Sequence, residues 1–483
     1  MLVLLFLSVK GDKMNLHLEE LKGKKVTVNG RIRKETWGGI YYYRNRMQID
    51  KINESYYTFI ELLKKYQDIY TVYKEMLAIY KIDEISIRSD LEELVKYMMK
   101  LGMIEVEGYS KENLIELESS YKDVEDNKFI LGIGKNVPIA PIKVLIETTY
   151  NCNLRCIHCF ADAQYCIGTR GGILPGELGL EDWKKVIDNI HNAGVFDVFV
   201  SGGECMMRQD IFDILAYIQS KGMGFFLLSN GTMITEETAK RLKEVGCLKI
   251  ECNMDGATAV TYDAFRGVEG AFDRTIRGIR ACIKVGIPLR CNVMETKKNI
   301  FELRDIIKVC HSIGVKEVCV VPLEDGGRGN SNKNDLKFKP EEYKIVEKLY
   351  QEVEEWIDKE LKGQIYLITP TSVSKTPLVV GNKNMPMCGA GKVHCTVDPY
   401  GNVKLCPTDR DTLKDENVNL LERSLTDIWN NSPTLKQIRS EEYIKCSSCI
   451  NMQCEYGCPV TRYRHIHNGV DIEKNCNYIV TKE

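Results

Sequence analysis

The sequence has almost no net charge: 66 Lys and Arg stand against 68 Asp and Glu, leaving −2 at neutral pH. That balance supplies no overall electrostatic pull toward nucleic acid or an anionic membrane surface. The apolar start, "MLVLLFLSV", is too short to span a bilayer, and neither a basic n-region nor a small-residue cleavage site accompanies it. It reads as a first strand or tail, or as an upstream start ahead of Met14, so a cytoplasmic chain with no membrane or nucleic-acid partner is expected. An even cysteine count is also missing: nineteen cysteines cannot all pair, which argues against a pure disulfide framework. In a reducing cytosol, clustered thiols more often mean metal than cystine. What is there, 483 residues at 44% hydrophobic and 28% charged, is an ordinary globular composition with room for two to four domains.

Residues 15–107 form a self-contained pattern. "KVTVNGRIR" and "GIYYYRNRMQI" alternate as a pair of strands. Three amphipathic helices come next, with faces made by Ile52, Tyr56, Phe59, Ile60 and Leu63, by Ile69, Val72, Met76 and Leu77, and by Leu91, Leu94, Val95, Met98 and Leu101. Ser89 and Glu92 read as a capping box for the third, and "GMIEVEG" returns as a strand. This is a winged-helix-like module, and a charged linker, 108–138, separates it from the rest of the chain.

Across 139–330 one pattern repeats. Five helices end at Gly194, Gly222, Gly246, Gly286 and Gly314, and each glycine precedes an apolar strand: "FDVFV", "FFLLS", "LKIEC", "LRCNV" and "EVCVV". With the opening strand "IKVLIETT" these make six βα units, which call for a parallel α/β sheet: a partial (β/α)6 TIM-type barrel. A helix near 340–361 opens a bridging region, 331–385. From 386 to 483 cysteines dominate, and apolar periods are so few that metal clusters are expected to supply much of the core.

The loop after the first barrel strand reads "NCNLRCIHCF". Three thiolates from one loop can hold three corners of a cubane iron-sulfur cluster and leave the fourth iron open; the competing reading is a zinc knuckle. Loops at the C-terminal ends of parallel strands carry active sites, which suits a catalytic cluster. Cys152, Cys156 and Cys159, with Phe160 after them, resemble the signature of the radical S-adenosylmethionine (SAM) superfamily. The resemblance implies a [4Fe-4S] cluster whose open iron chelates the amino and carboxylate groups of SAM, and a 5'-deoxyadenosyl radical formed by reductive cleavage. "SGGECMMR" is similar to the family's Gly-Gly-Glu motif, with Cys205 where proline is usual; Gly202, Gly203 and Glu204 would lie against the SAM amino group. Ser229 and Asn230 of "SNGT" resemble ribose or adenosyl contacts. Asp255 and Arg266 match positions near SAM, with Arg266 a partner for its carboxylate.

Downstream, "CGAGKVHCTVDPYGNVKLC" and "CSSCINMQCEYGC" resemble the SPASM extension of peptide-modifying radical SAM enzymes. That resemblance assigns Cys388, Cys406 and Cys458 to a first auxiliary [4Fe-4S] cluster and Cys446, Cys449, Cys454 and Cys476 to a second, three clusters in all. The gap from Cys449 to Cys454 is one residue shorter than usual. Cys395 is either a fourth ligand of the first auxiliary cluster or an inward-facing strand cysteine that leaves that cluster open to a substrate thiolate. Cys166, Cys205, Cys247, Cys252, Cys282, Cys291, Cys310 and Cys319 lack ligand spacing and read as small core residues.

Asp90, Glu92 and Glu93 make the helix at 89–101 a poor phosphate-facing surface. The front module instead resembles the RiPP recognition element, which binds the leader of a ribosomal precursor peptide by strand addition. Together the three parts resemble sactipeptide and ranthipeptide maturases. The function so implied is thioether formation from a peptide cysteine to a carbon of another residue, with a flavodoxin or ferredoxin as electron donor. Carbon-carbon crosslinking, epimerisation and sulfatase-type oxidation are the alternatives on the same fold; a zinc-stabilised winged-helix regulator is the alternative outside it.

Overall fold

The computed structural model describes residues 17–43, 48–81, 83–100, 102–109, 137–165, 172–323, 326–339, 342–370, 389–409, 411–440, 460 and 462–463. The chain divides into two compact units, Met1–Asn136 and Val137–Glu483.

In the first unit the leading predicted strand is interrupted at Asn29, giving β1 (Val26–Val28) and β2 (Gly30–Glu35). The second is split likewise into β3 (Gly38–Tyr43) and β4 (Gln48–Ile52). β2, β3 and β4 make an antiparallel sheet, while β1 pairs with the returning strand β5 (Ile104–Val106), Val26 opposite Val106. Between them lie α1 (Glu54–Tyr66), α2 (Ile69–Tyr80) and α3 (Glu84–Lys100). Their buried faces, including Phe59, Ile60 and Leu63, Val72 and Met76, and Leu91, Leu94 and Val95, make one core. The capping box expected at Ser89 is absent. α3 begins five residues earlier, where the Asp83 carboxylate accepts the Ser86 amide at 2.8 Å, and Ser89 lies inside the helix. Glu92 instead accepts the amide of Leu18 at 2.9 Å.

The second unit is built on a nine-stranded sheet. Its central strands are β6 (Lys143–Glu147), β9 (Asp197–Ser201), β10 (Gly224–Leu228), β11 (Cys247–Asn253), β12 (Leu289–Glu295) and β13 (Glu317–Pro322), adjacent in that order and all parallel. The short β7 (Asn151–Cys152) and β8 (Gln164–Tyr165) pair apart from it. Helices α4 (Leu180–Asn192), α5 (Ile211–Ser220), α6 (Glu236–Glu244), α7 (Ala259–Arg266), α8 (Ala271–Lys284) and α9 (Leu303–Ser312) connect these strands, α7 and α8 both lying between β11 and β12. The five predicted stop glycines all have positive φ, from 70° to 90°, as a left-handed helix ending requires.

The sheet is wider than six strands. After β13 come α10 (Gly327–Ser331), α11 (Lys333–Leu336) and α12 (Tyr343–Glu360), and then β14 (Tyr366–Ile368), which extends one edge in parallel. At the other edge β15 (His394–Val397), from the cysteine-rich region, pairs in parallel with β6, and β16 (Val403–Lys404) folds back against it. α13 (Leu425–Asn431) and α14 (Pro433–Ile438) complete the described elements. Buried Trp183, Ile187, Ile306, Ile307, Trp429 and Leu435 tie helices of both parts into one core, each side chain contributing about 1.5–3 kcal/mol. Among the described residues no helix is long and apolar enough to cross a membrane; "MLVLLFLSV" lies outside them.

Candidate active site

β6 delivers the chain to a turn held by the side chains of Glu177 and Arg208. The Glu177 carboxylate accepts the Tyr150 amide at 2.6 Å, the Thr149 hydroxyl at 2.7 Å and the Leu174 amide at 2.8 Å. Arg208, buried and forked onto Asp210 at 2.8 Å, donates to the Thr148 carbonyl at 2.7 Å. Gly202 and Gly203 then lie against the turn itself: a Cβ on either would sit 2.4 Å from the carbonyl oxygen of Thr149 or Asn151. Glycine is needed here because two backbones touch, with Gly203 and Glu204 donating to those same oxygens at 2.6 and 2.9 Å. The sequence suggests an approach of backbone to ligand; the approach observed is of chain to chain.

Beyond the turn come the three thiols, Cys152 and Cys156 buried and Cys159 partly so. Each receives one N–H. The Leu154 amide is 3.4 Å from Cys152 Sγ, Arg266 Nη1 is 3.4 Å from Cys156 Sγ, and the Ala163 amide is 3.5 Å from Cys159 Sγ. Burial pushes the Cys152 thiol up to about 12, with Glu204, Cys156 and Cys159 adding to it. Burial raises Cys156 too, with Cys159 adding and Arg266 opposing. Two neighbouring thiols raised in this way, Cys152 and Cys156, ionise together only if a cation or cluster takes up their charge. A donor at each sulfur, with the buried Arg266 guanidinium at Cys156, suits thiolate ligation of an iron-sulfur cluster. Among the described residues two buried donor-type atoms beside the loop have no partner: Arg266 Nε and Nδ1 of His158, whose ring stacks on Phe265 at 4.5 Å. The residues therefore fit the cofactors the sequence implies.

Glu204 is 1% exposed and joins successive strand ends. Its carboxylate accepts the Ser229 hydroxyl at 2.8 Å and the amides of Asn230 and Met206 at 2.7 and 3.0 Å. Burial lifts its pKa, and these donors oppose the rise. Asn230 continues the chain of contacts, donating to Asn153 Oδ1 at 2.9 Å, within the cysteine loop. Asp255 and Arg266, 0% and 3% exposed, form an ion pair with each other; Asp255 also accepts the Met294 amide at 2.6 Å. Burial works against the charge on Arg266, but Asp255, Tyr262 and Cys156 outweigh it and hold its pKa above the ordinary value. The seven residues expected near SAM are thus gathered around the three cysteines. Asn153, Glu177 and Arg208 belong with them, though no spacing pattern singles them out; Arg208 closes the quoted "SGGECMMR", the one available signal.

Of the C-terminal cysteines, two fall within the described residues. Cys395 is on β15, 1% exposed, opposite Val144 of β6; burial pushes its thiol up to about 12 against the pull of Arg439. Cys406 lies just after β16, half-buried, its Sγ 3.1 Å from the Thr408 hydroxyl. Lys404 ties this hairpin to the end of β6: its ammonium donates to Glu147 at 2.7 Å, and the Tyr150 hydroxyl donates to the same carboxylate at 3.0 Å. Cys388, Cys446, Cys449, Cys454, Cys458 and Cys476 lie outside the described residues, as does Cys166. Cys205, Cys247, Cys252, Cys282, Cys291 and Cys310 are buried core residues, whereas Cys319 is partly exposed.

Residues 146–310 match the Radical SAM superfamily. AdoMet-dependent heme synthase of Nitratidesulfovibrio vulgaris is 30% identical over 344 residues, 69% of this chain and 91% of the relative. The chain belongs to the radical SAM superfamily. In this radical SAM protein, residues 388–454 match the SPASM iron-sulfur cluster-binding domain. Mycofactocin maturase MftC of Mycobacterium tuberculosis is 31% identical over 330 residues, 67% of this chain and 80% of that one. Among solved structures, Streptococcus suis SuiB bound to S-adenosylmethionine superposes with a TM-score of 0.64 at 17% identity, over 92% of this chain and 97% of that one. SuiB bound to precursor peptide SuiA gives 0.63 at 16% identity over the same shares.

Proposed function

We propose that this radical SAM protein modifies a ribosomally made precursor peptide, forming a thioether from a peptide cysteine sulfur to a carbon of another residue. The observation that carries the reading is the extent of the likeness to SuiB, 92% of this chain and 97% of that one, which takes in the N-terminal unit as well as the radical SAM domain. In this reading the unit is a winged-helix-like leader-binding module, and the leader adds as a strand to an edge of the β2–β3–β4 sheet, main-chain bonds giving affinity and side-chain pockets specificity.

A [4Fe-4S] cluster on Cys152, Cys156 and Cys159, with SAM beside it, would supply a 5'-deoxyadenosyl radical able to take a hydrogen atom from the peptide. The chain's own part is positional. Gly202, Gly203 and Glu204 pack the second strand end against the cysteine turn, Ser229 and Asn230 extend that wall, and Arg266 with Asp255 balances charge at Cys156. Cys388, Cys406 and Cys458 would hold one auxiliary cluster and Cys446, Cys449, Cys454 and Cys476 another. A flavodoxin or ferredoxin would deliver the electrons.

A second reading, chemistry on a tetrapyrrole, is favoured by the 30% identity to the heme synthase. Anaerobic incubation with SAM, dithionite and a precursor peptide encoded nearby separates the two. Loss of two hydrogens from the peptide, together with one thiol that no longer alkylates, supports the maturase. Loss of hydrogens with every thiol still alkylating moves the product to a carbon-carbon bond. An untouched peptide with turnover of an iron porphyrin supports the second reading.

A further inference from the structure

After β13 the chain turns back onto the cysteine loop at Gly326–Asn332. Arg328 meets the loop at four points. Its amide donates to the Cys159 carbonyl at 2.9 Å, Nε to the Cys156 carbonyl at 2.9 Å, and Nη1 to the Ala163 carbonyl at 3.0 Å and the Asp162 carboxylate at 3.0 Å. Asn332 Nδ2 donates to the Ile157 carbonyl at 2.8 Å. Gly327, at φ 49°, lets the turn come this close: a Cβ there would lie 2.4 Å from the Cys159 oxygen and 2.7 Å from that of Phe160.

The loop needs such a support. Asp162 is held at φ 49°, a left-handed conformation that a side chain makes unfavourable. Arg328 binds its carboxylate and the carbonyls on both sides, Cys159 before and Ala163 after. The same bend aims the Ala163 amide at Cys159 Sγ. We propose that Arg328, seconded by Asn332, is a positioning residue that fixes the carbonyls of the cysteine loop and so presents Cys159 and its N–H donor to the cluster. This rests on the assignment of Cys152, Cys156 and Cys159 to a cluster, which the parent's iron content tests separately.

The experiment compares anaerobically reconstituted full-length parent, Arg328→Gln, Arg328→Lys and Asn332→Leu. Three quantities are measured: the rate of iron loss to a ferrous chelator, the low-temperature EPR spectrum of dithionite-reduced protein with and without SAM, and thermal unfolding. Arg328→Gln should unfold near the parent temperature yet lose one cluster's iron about tenfold faster, as expected when several hydrogen bonds to a charged donor go. Its SAM-dependent EPR change should be broadened or lost. Arg328→Lys should not restore either, because an ammonium cannot span the same fork of acceptors. Asn332→Leu should move in the same direction by less, and it carries the comparison if Arg328→Gln does not fold. Parent-like iron loss and EPR in Arg328→Gln, or full rescue by lysine, would overturn the proposal while leaving the cluster assignment intact. A parent without iron would overturn both.

Discussion

Arg266 places Nη1 3.4 Å from Cys156 Sγ and its other terminal nitrogen on Asp255. One buried guanidinium thus joins the loop after β11 to the loop after β6. Since an unpaired buried charge is costly, Arg266→Met should strand Asp255 and cost about 3–5 kcal/mol. The double variant Arg266→Met/Asp255→Leu should recover most of that stability without recovering cleavage of SAM. Thermal unfolding and release of 5'-deoxyadenosine measure the two effects; a single variant as stable as the parent would show that the pair is not needed to hold the loops.

The two sets of cysteines should separate by readout. Cys156→Ala should abolish SAM cleavage, whereas Cys449→Ala should retain some cleavage and yield no modified peptide. Retained turnover in Cys156→Ala counts against the loop assignment.

Glu204 accepts from the Met206 and Asn230 amides, the Ser229 hydroxyl and the Cys205 thiol, each of which needs a lone pair. Glu204→Gln turns an NH2 group toward one of them, so a loss of about 1–3 kcal/mol is expected from the unpaired donor, with SAM cleavage reduced at least about tenfold if the wall forms part of the site. Equal stability and equal cleavage would remove Glu204 from the account.

The Lys404–Glu147 pair holds the cysteine-bearing hairpin to β6. Lys404→Met should cost about 3–5 kcal/mol because Glu147 is then buried without a cation, and Lys404→Met/Glu147→Gln should regain much of it. If the single variant unfolds like the parent, the hairpin is held by strand pairing and apolar packing without need of the ion pair.

A pH signature is expected at Glu295, buried on β12 and bonded to the Tyr350 hydroxyl. Burial raises its pKa above the ordinary 4.5, so its contribution to stability is full below pH 4.5 and is lost as pH rises through the folded value. Glu295→Gln keeps an acceptor for Tyr350 and removes the buried charge. The variant should match the parent below pH 4.5 and unfold at a higher temperature at neutral pH. The opposite ordering at pH 7 would mean that the hydrogen bond outweighs desolvation.

Local rules carried the βα pattern, because five of its six strands came after a glycine with positive φ and each helix had one apolar face. They failed at Ser89, where an earlier cap at Asp83 took the helix start. β14 escaped notice because Tyr366–Ile368 is three residues long with an exposed tyrosine. A strand at Cys395 was one of the two readings of that residue, and the structure has it buried on β15; the parallel pairing of β15 with β6 escaped, because a partner so distant in sequence leaves no local mark. At the site, the residues with a spacing signature were found. Glu177, Arg208, Asn153 and Arg328 were not, since a hydrogen bond between Arg328 and Cys156, 172 positions apart, leaves no mark on local sequence.

The measurement that bears most directly on the whole account is iron and acid-labile sulfide per chain after anaerobic reconstitution, made together with dithionite-dependent release of 5'-deoxyadenosine from SAM. About twelve irons, four for each of three cubane clusters, with 5'-deoxyadenosine that increases when the precursor peptide is added, is the expected result. Zinc in place of iron, with no cleavage of SAM, would contradict it.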